Sequence, residues 1–154
     1  MIVGVADGDS VTLVDESHQQ HKIRLSGIDA PERRQAYGDR AKQHLAALVF
    51  RKDVRVVWHK RDRYGRIVGR VFAAECERRV CRYNIDAGLE QIKAGLAWHY
   101  KQYARDQPSD ERARYAAVEQ QARERRDGLW KELEPVAPWN FRRHPDMSGI
   151  RREG

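Results

Sequence analysis

Nine consecutive residues, Arg24-Leu25-Ser26-Gly27-Ile28-Asp29-Ala30-Pro31-Glu32, constrain this chain more than any other stretch. Arg24 and Ile28 bracket an apolar strand, Ser26-Gly27 interrupts it, and Pro31 turns Ala30 away from helical geometry because its ring crowds the preceding residue. Asp29 and Glu32 are therefore expected to emerge together at a strand end. Burial alone would not select a cation, two carboxylates and a backbone break so close together.

The neighbouring segments supply partners for that stretch. Ile2 to Ala6 has strand character, Asp7-Gly8-Asp9-Ser10 forms a turn, and Val11, Leu13 and Asp15 continue in alternation, which makes a hairpin carrying two acids. Asp-Gly is a frequent hairpin turn in its own right, so Asp9 matters chemically only if another acid approaches it. A polar loop from Glu16 to Gln20 leads to a third strand, His21 to Ile28, and the resulting meander can bring Asp9 beside Asp29. Asp39 is the expected N-cap of a first helix, with Ala41, Leu45, Leu48 and Val49 on one face. Val54, Val56 and Trp58 alternate in a fourth strand, and Ile67 to Ala73 form a fifth. Their connection, Lys60 to Arg66, is basic and tight, with Gly65 able to supply a positive φ; taken alone, it is a solvated hairpin tip.

Asp86 or Asn84 can cap a second helix running to about Ala94, with Gly95 as its stop. A third helix, from about Asp110 to Arg126, places Tyr115, Val118 and Ala122 on one face and ends at Gly128; its Arg123, Arg125 and Arg126 read as a solvated face. Five strands and three helices imply an α+β fold, a small closed barrel with helical flanks, and barrels of that kind often bind oligonucleotides on one face.

Composition narrows the partners. The 154 residues, 40% of them hydrophobic, are enough for one soluble domain, expected over residues 1–130 and followed by a basic Pro/Trp-containing extension over 131–154. Trp139 and Phe141 should pack back on the domain, while the final residues should be disordered. A net charge of +7 favours an anionic partner such as nucleic acid or an acidic membrane surface, although it also serves solubility. No apolar run approaches the roughly 20 residues of a membrane span, so membrane insertion is not expected. The start, Met1 to Val5, lacks the regions of a signal peptide: a removed leader would imply a secreted or periplasmic protein, a native Met1 a cytoplasmic one. Cys76 and Cys81 are too few for a disulfide framework or a four-ligand zinc site. If Arg78-Arg79 is a two-residue turn the cysteines face each other across strands, but such a turn lacks the usual Gly or Asn, which argues against a bridge.

Asp9, Asp29 and Glu32 would offer hard oxygen ligands, a set that suits Ca²⁺ or Mg²⁺ and disfavours zinc. Clustered carboxylates repel one another without a cation. Arg24 and Arg66 carry planar forks that bind phosphate oxygens bidentately, so the set describes a phosphodiester site, with Glu32 as the candidate to activate water. Tyr100 and Tyr103, interleaved with Lys101 and Arg105, suit base stacking combined with phosphate contact.

The ordered segments Asp7-Gly8-Asp9-Ser10, Ile23-Arg24-Leu25, Ile28-Asp29-Ala30-Pro31-Glu32, Tyr37-Gly38, Asp62-Arg63-Tyr64-Gly65-Arg66, Gly95-Leu96-Ala97 and Gly128-Leu129-Trp130 resemble the staphylococcal nuclease (thermonuclease) family. The resemblance implies a five-stranded OB-fold barrel flanked by three α-helices. It also implies a Ca²⁺-dependent endonuclease acting on DNA and RNA, with 3′-phosphate ends as products; the substrates are expected to be single-stranded or locally opened, and the protein a monomer. By that resemblance Asp9, Asp29 and the Ala30 carbonyl hold the metal, Glu32 is the general base, and Arg24 and Arg66 bind the phosphate. Arg63 and Tyr64 then match positions that hold a terminal phosphate, and Tyr103 matches a base-stacking tyrosine. Ser10 and Ala30 stand where Thr is common, the loop from Arg33 to Ala36 is short, and the segment from Cys76 to Tyr83 fits poorly. The chain after Trp130 lies outside the resemblance. Two other readings remain open on the sequence: a non-catalytic OB-fold nucleic-acid-binding module, and a polybasic module acting through its tail.

Overall fold

The computed structural model describes residues 1–144, and the expectation for the final residues, Arg151-Arg152 included, lies outside that range. The strands are β1 (Ile2–Asp7), β2 (Ser10–Val14), β3 (Gln20–Leu25), β4 (Ile28–Asp29), β5 (Val54–Arg61), β6 (Ile67–Glu77), β7 (Val80–Asp86) and β8 (Trp98–His99). The helices are α1 (Gly38–Val49), α2 (Ala87–Lys93), α3 (Ser109–Arg125) and α4 (Pro138–Arg143), with 3₁₀ turns at Lys101–Asp106 and Gly128–Lys131.

The main sheet runs β1-β2-β3-β6-β5, with β7 added to β6, and β3 and β6 are parallel where Ile23, Arg24 and Leu25 face Ile67, Val68 and Gly69. This is the α+β arrangement expected of an OB-fold, but the sheet is not strictly closed: β1 at its edge makes only an isolated parallel bridge, from Ile2 to Phe50 at the end of α1. The break at Ser26-Gly27 moves the chain off this sheet, and β4 then pairs with β8, Ile28 opposite His99 and Asp29 opposite Trp98. Ile2, Ile23, Leu25, Ile28, Leu45, Val71, Ile92 and Tyr115 fill the core, and α1 contributes Ala41, Leu45 and Val49 at the spacing of one helical face.

Local chemistry accounts for the departures from expectation. Asp39 does not cap α1. The cap position belongs to Tyr37 in the left-handed region, φ 69°, and Gly38 follows because a Cβ there would lie 2.0 Å from the Glu32 carbonyl oxygen. Asp86 does cap α2, accepting from the Leu89 amide at 3.2 Å, and also takes the Tyr115 hydroxyl at 2.7 Å and Arg70 at 2.9 Å. Beyond the five expected strands, β6 and β7 form a hairpin whose turn residues Arg78 and Arg79 both have positive φ, the left-handed pair that a two-residue turn demands, without glycine or asparagine. Cys76 and Cys81 face each other in that ladder and are joined by a disulfide. Arg123 is not merely solvated: its guanidinium lies 4.3 Å from the Trp130 ring centroid and bonds Glu119 at 3.1 Å, over a second cluster of Ala122, Leu129 and Trp130. A fourth helix, α4, joins the three expected, with Phe141 and Pro138 buried.

Beneath β4, His99 links β8 to α3. Its amide donates to Glu119 at 2.6 Å, its Nε2 donates to Gln107 Oε1 at 2.7 Å, and Nδ1 has no hydrogen-bond partner among the described residues. Burial holds the imidazole below its ordinary value of 6.5, aided by Lys101 and Arg112 and opposed by Gln107 and Glu119. The unfolded chain therefore takes up this proton first as pH falls. The stability tied to neutral His99 is complete above the ordinary histidine value and is lost as pH falls through it towards the folded one. Thermal midpoints measured from about pH 8 to about pH 5.5 should fall, and His99→Gln should flatten that decline; equal slopes in the two proteins would remove His99 as the cause.

Candidate active site

The turn between β1 and β2 delivers Asp9. Gly8 is needed there, since a Cβ would lie 2.6 Å from that of Ala41 and 2.7 Å from that of Ala30, and buried Gln91 ties the turn to α1 by donating to the Gly8 and Ala41 carbonyls, both at 2.8 Å. Asp9 Oδ2 accepts from the Ala30 amide at 2.8 Å and Oδ1 from the Ser10 hydroxyl at 3.0 Å, while the Asp9 carbonyl accepts from the Leu25 amide. The first hairpin is thereby bonded on both sides of the strand break.

Arg24, at the end of β3, closes the arrangement. Its Nη1 donates to the Leu25 carbonyl at 2.8 Å, and its Nη2 stands 3.4 Å from Asp9 Oδ2 and 3.3 Å from Asp29 Oδ1. One guanidinium nitrogen thus bridges the two acids, whose side chains are 8% and 1% exposed. Burial would raise Asp9, but Arg24 and bonds from Asp7, Ala30 and Ser10 hold it below the usual carboxylate range. Burial pushes Asp29 up to about 6 against Arg142 and Arg24, so it is ionised at neutral pH. Asp7, whose Oδ1 accepts from the Asp9 amide at 3.1 Å, is pushed up to about 7 by burial and by Asp9. It is one of the two acids of the hairpin and lies on the same groove, although the sequence argument singled out only Asp9.

That groove, ≈ 1010 Å³, is bounded by the acids and Arg24 on one side and by the β5–β6 connection and Tyr100-to-Gln107 segment on the others. Arg66 lines it, but its Nε is paired with Asp62 Oδ2 at 2.8 Å, and Asp62 Oδ1 also accepts from the Tyr64 and Arg66 amides. Arg63 and Tyr64 line it as a pair, the Arg63 Nη2 donating to the Tyr64 hydroxyl at 2.8 Å. Tyr103 is half exposed on the 3₁₀ turn, edge-on to Tyr100 at 5.0 Å, with the Lys60 ammonium 5.7 Å from its ring centroid. Trp58, on β5 as its alternation with Val54 and Val56 predicts, also lines this groove and is 53% exposed, next to a register shift between Trp58 and Lys60.

Glu32 carries a contact that no sequence argument supplied. Arg142 of α4 donates from Nη1 to Glu32 Oε1 at 2.6 Å and Asp29 Oδ1 at 3.1 Å, and from Nη2 to Asp29 Oδ2 at 2.7 Å. The anchor for α4 is aromatic: Trp139 stacks on Tyr100 at 5.4 Å and meets Trp98 edge-on at the same distance. The expectation that Trp139 and Phe141 pack back was the available clue, since a residue flanked by such anchors must also lie close to the domain. Among the described residues no group of three or more His, Cys, Asp or Glu side chains is arranged to hold a metal. The acids that do converge, Asp9 and Asp29 with Glu32 beyond, offer oxygen donors alone, which fits a hard divalent cation in chemistry.

Comparison with known proteins gives a consistent result. The family model described as "Staphylococcal nuclease homologue" matches residues 22–132. An uncharacterised endonuclease of Escherichia coli is 36% identical over 92% of this chain and 82% of its own length. A micrococcal nuclease of Shigella flexneri is 38% identical over 92% of this chain and 79% of its own, and the protein ParB of Escherichia coli 41% over 99% and 82%.

Proposed function

Because the chain belongs to the staphylococcal nuclease family, we propose that it is an endonuclease of the Ca²⁺-dependent, sugar-nonspecific kind, hydrolysing phosphodiester bonds of DNA and RNA to leave 3′-phosphate ends. The observation that carries the reading is the convergence of Asp9, Arg24 and Asp29 on one wall of an open groove whose other walls present arginines and aromatic rings.

Asp9, Asp29 and the Ala30 carbonyl are the residues that would hold Ca²⁺, which when bound supplies polarisation of the phosphoryl oxygen. Arg24 is fixed by the Leu25 carbonyl, so its fork is oriented before substrate arrives and can neutralise charge gathering on the phosphate. Arg66 can offer its guanidinium to a second phosphate oxygen on giving up Asp62. Glu32, one residue beyond the rigid Pro31, takes the proton of the attacking water; the new bond is oxygen to phosphorus, and the bond to the 5′-oxygen breaks, that oxygen leaving with a proton from solvent. Arg63 and Tyr64 hold the terminal phosphate, and Tyr103 stacks a base, which favours single-stranded or locally opened substrates. The protein works as a monomer in this reading.

The test is hydrolysis of plasmid DNA and of RNA with Ca²⁺, and with chelator. Both substrates should be cut with Ca²⁺, and Glu32→Gln should slow cleavage by about 10²-fold or more. Full activity in chelator would overturn the metal assignment, and an unchanged Glu32→Gln rate the general-base assignment.

A further inference from the structure

Arg142 stands among the acids in a way that bears on how a metal could reach them. It lies on α4, beyond residues 22–132 that the family model matches. Its two terminal nitrogens cover both oxygens of Asp29, at 3.1 and 2.7 Å, and one of them also holds Glu32 at 2.6 Å. The fork therefore engages together a carboxylate read as a metal ligand and the carboxylate read as the base. Asp29 is almost wholly buried although it lines the groove, because Arg142 covers both its oxygens and Arg24 meets Oδ1 from the other side. A divalent cation that takes an Asp29 oxygen must displace at least one Arg142 bond, and the two positive charges would then repel at short range. Arg142 itself is 40% exposed, which leaves its head room to withdraw into the groove, while Phe141 stays buried and Trp139 stays stacked on Tyr100.

We propose that Arg142 is an intrachain cation that competes with the divalent metal for Asp29 and Glu32, so that loading of the site is an exchange of the α4 arginine for the metal. The inference rests on the reading of Asp29 and Glu32 given above. Its consequence is a raised metal threshold: the apparent affinity is reduced by the fraction of molecules in which Arg142 still covers Asp29. The coupling is reciprocal, so bound metal loosens the grip of Arg142 on the acids. Glu32, released in the same event, becomes free to take a proton only once the metal is in place.

The experiment is calorimetric titration of Ca²⁺ into the full chain, the Arg142→Gln and Arg142→Lys variants, and Asp29→Asn, with folding of each checked by circular dichroism. Removal of the competitor should tighten Ca²⁺ binding about 10-fold or more in Arg142→Gln. Arg142→Lys, which keeps the charge but loses the fork, should fall between the two. Asp29→Asn should abolish the heat of binding. Equal or weaker Ca²⁺ binding in Arg142→Gln, with binding still lost in Asp29→Asn, would overturn the competition and leave the site assignment standing. Absence of binding in both the unmodified chain and Arg142→Gln would overturn the competition and the site assignment together.

Discussion

Replacing Arg24 by leucine should lower the rate of phosphodiester cleavage by about 10²–10³-fold, the usual loss when one preorganised donor to transition-state charge is removed. The same change should destabilise the fold by about 3–5 kcal/mol, because it breaks a buried ion pair from one side. Arg24 is 15% exposed, and its Nη2 is shared by Asp9 and Asp29. Without it Asp29 keeps Arg142, but Asp9 loses the principal influence that offsets its burial, and the two acids face each other unscreened. Arg24→Lys separates the two roles. A lysine ammonium returns positive charge to the acids and should recover much of the urea midpoint, but it cannot present a fork to a phosphate, so the rate should remain low. An Arg24→Leu protein that cuts at the wild-type rate would remove Arg24 from the proposed chemistry.

The parts of the site that could be read from sequence are those set by local backbone chemistry. The Asp-Gly turn, the period-2 strands and the Ser26-Gly27 break each act within a few residues, and together they bring Asp9 and Asp29 to one guanidinium. Arg142 could not be read in this way. Its bond to Asp29 spans 113 positions, and α4 has six residues with Pro138 and Phe141 buried, too few for a periodic pattern to announce which face docks. The α1 cap was missed for a related reason: Asp39 has the right chemistry, but the tertiary approach of Gly38 to the Glu32 carbonyl decides where the helix starts. The β7 strand exposes every residue from Val80 to Asn84, so alternation of burial leaves no trace in its composition. Trp58 does lie on the strand its alternation announces, opposite Gly69, but its exposure towards the groove could not be read from that alternation.

Alanine at Gly95 or Gly128 should be among the most damaging substitutions outside the site, each costing more than about 3 kcal/mol of stability. Both glycines have positive φ, 71° and 53°, where a side chain is already strained. The larger cost is steric. A Cβ on Gly95 would lie 2.1 Å from the Asp127 carbonyl oxygen, and one on Gly128 would lie 2.3 Å from the Gly95 carbonyl oxygen, which also accepts the Leu129 amide at 2.8 Å. The end of α2 and the exit from α3 therefore meet backbone to backbone, and neither can yield by turning a rotamer. Parting them would withdraw Trp130 from Trp98, whose ring centroids are 4.5 Å apart, and Trp98 is the residue that pairs with Asp29 across β4 and β8. Because one contact is broken whichever glycine is changed, urea unfolding should show the double variant losing clearly less than the sum of the two singles. Strict additivity would mean that each glycine acts through its own φ alone. Gly65→Ala is the matched control: φ is 80° there but no atom lies within 4 Å of the added carbon, so the loss should stay near the 1–2 kcal/mol of backbone strain. The difference between that control and the Gly95 or Gly128 variants measures what the close approach itself contributes to holding β8, and with it Asp29, in place.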